Sequence, residues 1–117
     1  MPPDQRIPGV TAGYRETGLS WWQCACSAAS LHNETVNIHT HLLPALFFAG
    51  LAAQTAAELR QPDGAAAGEA RNHLWCTLGF TAAATLVHCC SAAFHCFGCR
   101  GPTAAAVLLG LGRIVVL

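Results

Sequence analysis

Two long stretches without charged side chains divide the chain. Residues Thr35–Ala57 and Asn72–Cys99 contain no Lys, Arg, Asp or Glu. A helix needs about 20 predominantly apolar residues to cross the hydrocarbon core of a bilayer. The pattern therefore predicts two membrane-spanning helices, over about residues 36–59 and 73–97.

A third apolar stretch, residues Thr103–Leu117, is interrupted only by Arg113 and is shorter than a full crossing. The break Gly98–Pro102 separates it from the second stretch, and a polar loop with the turn signal Pro62-Asp63-Gly64 separates the first two. We therefore predict an all-α, multi-pass membrane protein surrounded by lipid, with two full transmembrane helices and a partial third over about residues 103–117.

The first 35 residues are a polar arm that precedes the membrane region, residues 36–117. Within the arm, Trp21 and Trp22 are adjacent, and aromatic pairs favour the membrane–water boundary. Residues 21–32 are predicted either as a short interfacial helix or as an ordinary amphipathic stretch. The arginines on the two sides of the first span are balanced, so their distribution does not decide the orientation.

Composition supports a bilayer as the solvent. Hydrophobic residues make up 53% of the 117 residues and charged residues 10%, whereas soluble domains average about 25% charged residues. The net charge of zero gives no basic surface for nucleic acid. The alternative of a soluble, cysteine-rich metal module disagrees with the two long uncharged stretches.

A polar cassette marks the start of the first span. Glu34, Asn37 and His41 are spaced i, i+3 and i+7, so a helix places them on one face. Buried polar groups need partners, so this column either anchors a neighbouring helix or holds water near a reaction centre. The alternative is helix capping, with Asn33 as the N-cap and Glu34 near the positive end of the helix dipole.

A second set of polar residues lies near the end of the second span. Ser91 and His95 are spaced i, i+4, which predicts that the hydroxyl group and the imidazole are within reach of each other. His88 lies on nearly the same stripe. A histidine at membrane depth indicates a functional site, although a structural hydrogen bond is the alternative.

The pair Cys96 and Cys99 forms a single CxxC motif. Structural zinc sites usually combine two such elements, and the second would have to come from Cys24 and Cys26. Two alternatives are open for these thiols: small buried apolar side chains, or, at Cys99, palmitoylation.

Three segments in this order resemble the progestin and adipoQ receptor family, also called the hemolysin III-related family. They are Gly13-Tyr14-Arg15, the cassette His32-Asn33-Glu34-Thr35-Val36-Asn37-Ile38-His39-Thr40-His41-Leu42-Leu43-Pro44, and Ser91-Ala92-Ala93-Phe94-His95.

The resemblance implies a seven-helix bundle with a cytosolic N-terminus and a zinc ion held by three histidines near one end. His95 matches the zinc ligand of the S-x-x-x-H motif, and Ser91 is its supporting residue. The family's other two histidines form an H-x-x-x-H motif on the last helix, and an Asp early in the third helix completes the site. The implied chemistry is zinc-dependent hydrolysis of ceramide-type lipid amides, or a receptor role in lipid signalling and in lipid and zinc homeostasis.

The chain departs from this pattern after His95. It has no later H-x-x-x-H motif, and Gly110-Leu111-Gly112 occupies the neighbourhood of the expected Asp. We therefore expect the N-terminal part of a family member, either a fragment, a truncated gene model or a decayed copy. Such a chain cannot complete the zinc site alone, is inactive by itself, and needs the downstream helices of the same bundle as partners. The alternative is a small two-span membrane protein with a structural or interaction role and no chemistry.

Overall fold

The computed structural model describes residues 11–61 and 68–116, with side chains up to residue 113. All regular structure in these ranges is helical. The elements are α1 (Trp21–Ser27), α2 (Thr35–Arg60), α3 (Glu69–Phe97), a 3₁₀ turn (Gly98–Arg100) and α4 (Pro102–Val116).

Helices α2 and α3 form an antiparallel pair, which is the main contact of the fold. The side chain of Glu34, just before α2, meets His95 near the end of α3, and Phe48 further along α2 meets Phe80 nearer the start of α3. The helices contain 26 and 29 residues, which at a rise of about 1.5 Å per residue exceeds the roughly 30 Å hydrocarbon core.

Large apolar side chains cover the outside of this pair. In the most apolar stretches of the two candidate spans, 17% and 11% of the residues are buried, whereas a core helix of a soluble protein is mostly buried. The exposed side chains include Leu43, Leu46, Phe47, Trp75, Phe80 and Leu86. An apolar surface of this kind requires lipid or other helices as its environment. Both helices are long and apolar enough to cross a membrane.

Threonine hydroxyl groups inside the two helices are hydrogen-bonded within their own helix. The hydroxyl groups of Thr55, Thr81 and Thr85 donate to backbone carbonyls one turn earlier, at distances of 2.9, 2.8 and 2.7 Å. In a bilayer each polar group must find its partner inside the protein. These bonds therefore let the helices carry hydroxyl groups through an apolar environment.

Helix α1 is shorter than the predicted interfacial segment over residues 21–32. It ends at Ser27, and a capping box between Ser20 and Gln23 fixes its start. Trp21 packs on Phe97 with ring centroids 5.3 Å apart, and 76% of Trp22 is exposed. The arm thus contacts the end of α3 through one tryptophan and presents the other outward.

Helix α2 extends one residue beyond each end of the stretch predicted as the first span, residues 36–59. Helix α3 begins at Glu69, four residues earlier than predicted. It follows directly after Gly68, which has a positive φ of 71°. Helix α4 covers most of the third apolar stretch, and its assignment as a partial transmembrane segment stays a prediction. The predicted Pro62-Asp63-Gly64 turn and Leu117 lie outside the described residues.

Candidate functional site

The N-terminal arm docks onto the start of α2 through Gly13, Arg15 and Asn33. The carbonyl of Gly13 accepts a 2.8 Å bond from the backbone N–H of Asn33, and the Arg15 N–H donates to the Asn33 side-chain oxygen at 3.1 Å. Gly13 has φ +79°, a conformation that favours glycine. The Gly-Tyr-Arg segment therefore brings Arg15 to the α2–α3 pair.

Glu34 is the centre of a hydrogen-bonded cluster. Its Oε2 lies 2.8 Å from the Nδ1 of His95 and accepts a 3.1 Å bond from the side chain of Asn37. Its Oε1 accepts a 2.8 Å bond from the side chain of Asn33. The carboxylate and the imidazole are each about one-fifth exposed. The two helices are thus joined at this end by a polar contact between residues 61 positions apart.

The contact with Glu34 determines which ring nitrogen of His95 is available. A carboxylate oxygen accepts hydrogen bonds, so Nδ1 of His95 carries the hydrogen and donates to it. In the neutral ring, Nε2 then retains a lone pair. A metal-binding histidine usually donates its other ring N–H to a carboxylate or carbonyl in this way. The lone pair of His95 is therefore on Nε2, the ring nitrogen that could bind a metal or accept a hydrogen bond.

A series of rings continues from His95 along the interface between α2 and α3. The ring of His41 stacks on that of His95 at 5.5 Å, and its Nδ1 lies 3.3 Å from the Nδ1 of His88. Phe48 stacks on His88 at 5.9 Å. Glu34 and His41 thus contact α3 directly, and Asn37 is linked to it through Glu34. These three residues therefore join the helices. Whether they have a chemical role stays a prediction.

Arg15 closes the end of α3. Its guanidinium group donates to the carbonyls of His95 and Cys96 at 2.6 and 2.7 Å, and to the hydroxyl of Ser27 at 2.9 Å. The last carbonyls of a helix have no partners within the helix, and a cation is favoured there. Only 8% of Arg15 is exposed. The sequence pointed to Arg15 only through the family resemblance, because one arginine in a polar arm carries no spacing signal.

His32 supports the backbone just before α2. Its Nδ1 accepts a 3.0 Å bond from the Glu34 N–H, so the hydrogen is on Nε2, which lies 2.9 Å from the Ser27 carbonyl. Burial and the nearby Arg15 charge lower the pKa of His32 below its usual value. Protonation would place a hydrogen on the accepting Nδ1 and break the bond to Glu34. Neutral His32 therefore helps to hold the backbone of Glu34 in position.

A cavity of about 610 Å³ opens beside the cluster. Its polar side is formed by Arg15, Glu34, Asn37 and His95. Phe94 and the segment Gly98–Pro102 complete much of the wall. The imidazole of His95 thus meets a space of small-molecule size, and the pockets that bind such ligands fall in the same volume range.

Ser91 does not make the contact that its spacing from His95 predicted. Among the described residues, no hydrogen bond joins the two side chains. Ser91 instead lines a second, mostly apolar cavity between α3 and α4, together with Leu108 and Arg113. An i, i+4 pair differs by about 40° around the helix, and the bond to Glu34 draws the His95 ring towards α2. Between these two described side chains the structure therefore shows no hydrogen bond that would support a catalytic role for Ser91.

The capping alternative for the cassette is wrong in its detail. The N-cap position of α2 is Glu34 rather than Asn33, and the Glu34 side chain makes no capping hydrogen bond. The amide of Asn33 is used by Arg15 and Glu34 instead. The side chains of Asn33 and Glu34 therefore serve contacts with other side chains and the arm rather than capping of α2.

The CxxC motif contacts helix α1 through Cys24, one of the two α1 cysteines considered above. The sulfur of Cys24 is 3.1 Å from that of Cys99, and the thiol of Cys96 donates to the Cys24 carbonyl at 3.5 Å. Cys26 is exposed. In the described part of the chain, no three His, Cys, Asp or Glu side chains are grouped closely enough to hold a metal ion.

The donor set therefore fits a zinc site only in part. The described residues supply one imidazole, His95, whose Nδ1 is fixed by a carboxylate, and catalytic zinc sites use three protein ligands. The remaining ligands would have to come from outside the described ranges.

Comparisons with known proteins identify the family of this chain. A family model described as Haemolysin-III related matches residues 29–111, which contain the cassette, His95 and both long helices. The chain belongs to the haemolysin-III-related family. It is a membrane protein of that family, and the predicted resemblance is confirmed.

Two relatives are membrane progestin receptors. The chain is 51% identical over 46 residues to membrane progestin receptor beta of Mus musculus and 46% identical over 46 residues to that of Homo sapiens. Each match covers 39% of this chain and 13% of the receptor. The chain thus aligns with a small part of each receptor.

Proposed function

We propose that this chain provides the first helices of a multi-pass haemolysin-III-related protein with a seven-helix bundle and a cytosolic N-terminus. In that bundle, His95 is one ligand of a zinc site at the wall of the 610 Å³ cavity. The hydrogen bond between Glu34 and His95 carries the proposal, because it fixes the imidazole in the orientation that a metal ligand requires. The downstream helices would supply the other ligands.

The proposed activity is hydrolysis of a ceramide-type lipid amide. Bound zinc would supply polarisation of the amide carbonyl and a more acidic bound water. The residues of this chain would orient His95 and hold the surrounding structure. Glu34 holds the Nδ1 hydrogen of His95, Asn33 and Asn37 hold Glu34, and Arg15 fixes the end of α3. The opening between the helices at the membrane boundary suits a substrate with a polar head and apolar tails.

A second candidate function is reception of a lipid-like ligand without hydrolysis. The match to membrane progestin receptors supports it, because the matched proteins are named for a steroid ligand. The same cavity is lined by both polar and apolar residues, which also suits a steroid. Both candidate functions use His95 and Glu34, and they differ in whether the ligand is chemically changed.

Zinc analysis tests the site. The protein encoded by the full-length gene is purified in detergent, and its zinc content is measured by mass spectrometry. We expect His95→Ala to lose zinc and Glu34→Gln to weaken binding by about 10- to 100-fold. His39→Ala is the matched control, because His39 is exposed on the same helix as the cassette and bonds its own backbone at Thr35. Equal zinc content in His95→Ala and wild type would remove His95 from the site.

Two assays on the same preparations then separate the candidate functions. Release of fatty acid from a ceramide, lost in His95→Ala, supports the hydrolase. Saturable binding of labelled progestin without fatty-acid release supports the receptor. If neither occurs and zinc content does not depend on His95, the alternative of a small membrane protein without chemistry is favoured.

A further inference from the structure

The sulfurs of Cys24 and Cys99 are in contact at 3.1 Å, although 75 positions separate them along the chain. Cys24 is fully buried and Cys99 partly exposed. In a disulfide the two sulfurs are about 2.0 Å apart, so bond formation requires an approach of roughly 1 Å. Among the described residues, no other pair of thiols makes such a contact.

Several other contacts hold α1 and the end of α3 together beside this pair. The Gly18 N–H donates to the Cys99 carbonyl at 2.8 Å. The Arg100 guanidinium lies over the Trp21 ring at 4.4 Å, and Trp21 packs on Phe97. The two sulfurs are therefore positioned by contacts on both sides rather than by a chance approach of mobile side chains.

We propose that Cys24 and Cys99 form a redox-sensitive dithiol pair that joins the N-terminal arm to the rim of the site cavity. Cys99 and Gly18 both line the cavity, as do Arg15 and His95. A bond at Cys99 would fix the arm against the rim at the point where the cavity opens. The proposal depends on this geometry alone and does not require zinc binding or hydrolysis.

The exposures of the two thiols determine the order of reaction with a small disulfide such as oxidised glutathione. Burial raises the pKa of the Cys99 thiol to about 11, so its thiolate is a minor species at neutral pH and reaction is slow. That thiolate attacks the reagent, forms a mixed disulfide and releases one half as a thiolate. The Cys24 thiolate then attacks the Cys99 sulfur, forms the Cys24–Cys99 bond and releases the second half. The two protein thiols lose two protons and two electrons, and the reagent becomes two thiols.

Mass spectrometry tests the pair in the wild-type protein. The full chain in lipid vesicles is exposed to oxidised glutathione for a series of times, free thiols are blocked with N-ethylmaleimide, and the intact mass and cross-linked peptides are measured. Apart from the mass of the blocking groups, the expected product is lighter than the reduced chain by about 2 Da. It contains a Cys24–Cys99 peptide and is reversed by dithiothreitol. A stable glutathione adduct on Cys99 or a Cys24–Cys96 bond in place of this product would overturn the proposal.

Variants check the assignment independently. Cys24→Ser and Cys99→Ser should each lose the internal cross-link. Cys26→Ser is the matched control, because Cys26 is exposed on the same helix as Cys24, and it should keep the cross-link. Cross-linked dimers that disappear in Cys26→Ser, with no internal bond in either protein, would contradict the pairing.

Hydrogen–deuterium exchange tests the effect on the arm in wild type. The oxidised protein should exchange more slowly than the reduced protein at residues 13–20, which include the Gly18 amide. Equal exchange in the two forms would refute the proposed fixing of the rim.

Discussion

Replacing Arg15 by alanine tests how the arm stabilises the site. The substitution removes the guanidinium bonds to the carbonyls of His95 and Cys96 and to the hydroxyl of Ser27, at 2.6, 2.7 and 2.9 Å. Hydrogen bonds to charged groups contribute about 1.5–3 kcal/mol each, and a carbonyl left without a partner costs about 1–3 kcal/mol.

The net effect of Arg15→Ala is smaller than the sum of these contributions. The Nε of Arg15 is buried without a partner among the described residues, so removing the side chain also removes one unfavourable group. Water can reach part of the emptied space. We therefore expect the free energy of unfolding to fall by about 2–5 kcal/mol. Arg15→Lys should lose part of this amount, because one ammonium group cannot reach all three acceptors in the guanidinium geometry.

The assay is unfolding of the purified protein in mixed detergent micelles, followed by tryptophan fluorescence, to which Trp21 against Phe97 contributes. Arg60→Ala is the matched control, because Arg60 is exposed at the end of α2, and it should change stability by less than about 0.5 kcal/mol. An Arg15→Ala protein as stable as the Arg60→Ala control would refute the reasoning that this guanidinium holds the end of α3.

Three further predictions follow from the described contacts. His32 has a pKa lowered from 6.5 by burial and by Arg15, so the unfolded chain takes up the proton first as pH falls. The contribution of neutral His32 to the free energy of unfolding should be complete above about pH 6.5 and be lost as the pH falls below it. In His32→Gln, the unfolding midpoint should fall less on acidification than in wild type, and an equal fall would contradict this. Trp22 is 76% exposed, and changing Trp21 and Trp75 to Phe leaves it as the fluorophore. Lipids brominated near the headgroup should quench Trp22 fluorescence more than lipids brominated near the chain end, and the reverse order would contradict an interfacial α1. Phe47 is 62% exposed on α2, so Phe47→Arg should disfavour membrane insertion by about 3 kcal/mol in a glycosylation-mapping assay. The control Gln61→Arg lies beyond the helix end and should insert normally, and equal insertion of the two variants would contradict a lipid-facing Phe47.

The sequence predicted the two long helices well because their apolar stretches are long and end at charged residues. Their pairing and the inward face of the cassette also follow from simple rules: a short connection makes adjacent helices antiparallel, and the i, i+3, i+7 spacing of Glu34, Asn37 and His41 selects one face. The resemblance to the hemolysin III-related family rested on the same residues, and the match over residues 29–111 agrees with it.

The contacts of the arm could not be predicted from spacing. Arg15 reaches carbonyls 80 and 81 positions away, and backbone carbonyls carry no sequence signal. The Cys24–Cys99 contact is equally non-local. The expected Ser91–His95 contact is not formed, because the partner of His95 on α2 decides its side-chain direction. Local spacing therefore places a residue on a face, and only tertiary packing decides which neighbour it meets.

The hydrogen bond between Glu34 and His95 is the centre of the account, and a double-mutant cycle measures it most directly. The free energies of unfolding of wild type, Glu34→Gln, His95→Gln and the double variant are compared in the same micelles. For a partly buried bond of 2.8 Å, we expect a coupling energy of about 1–2 kcal/mol. Single-variant effects that add to within about 0.5 kcal/mol would show that the two side chains do not interact and would contradict the site described above.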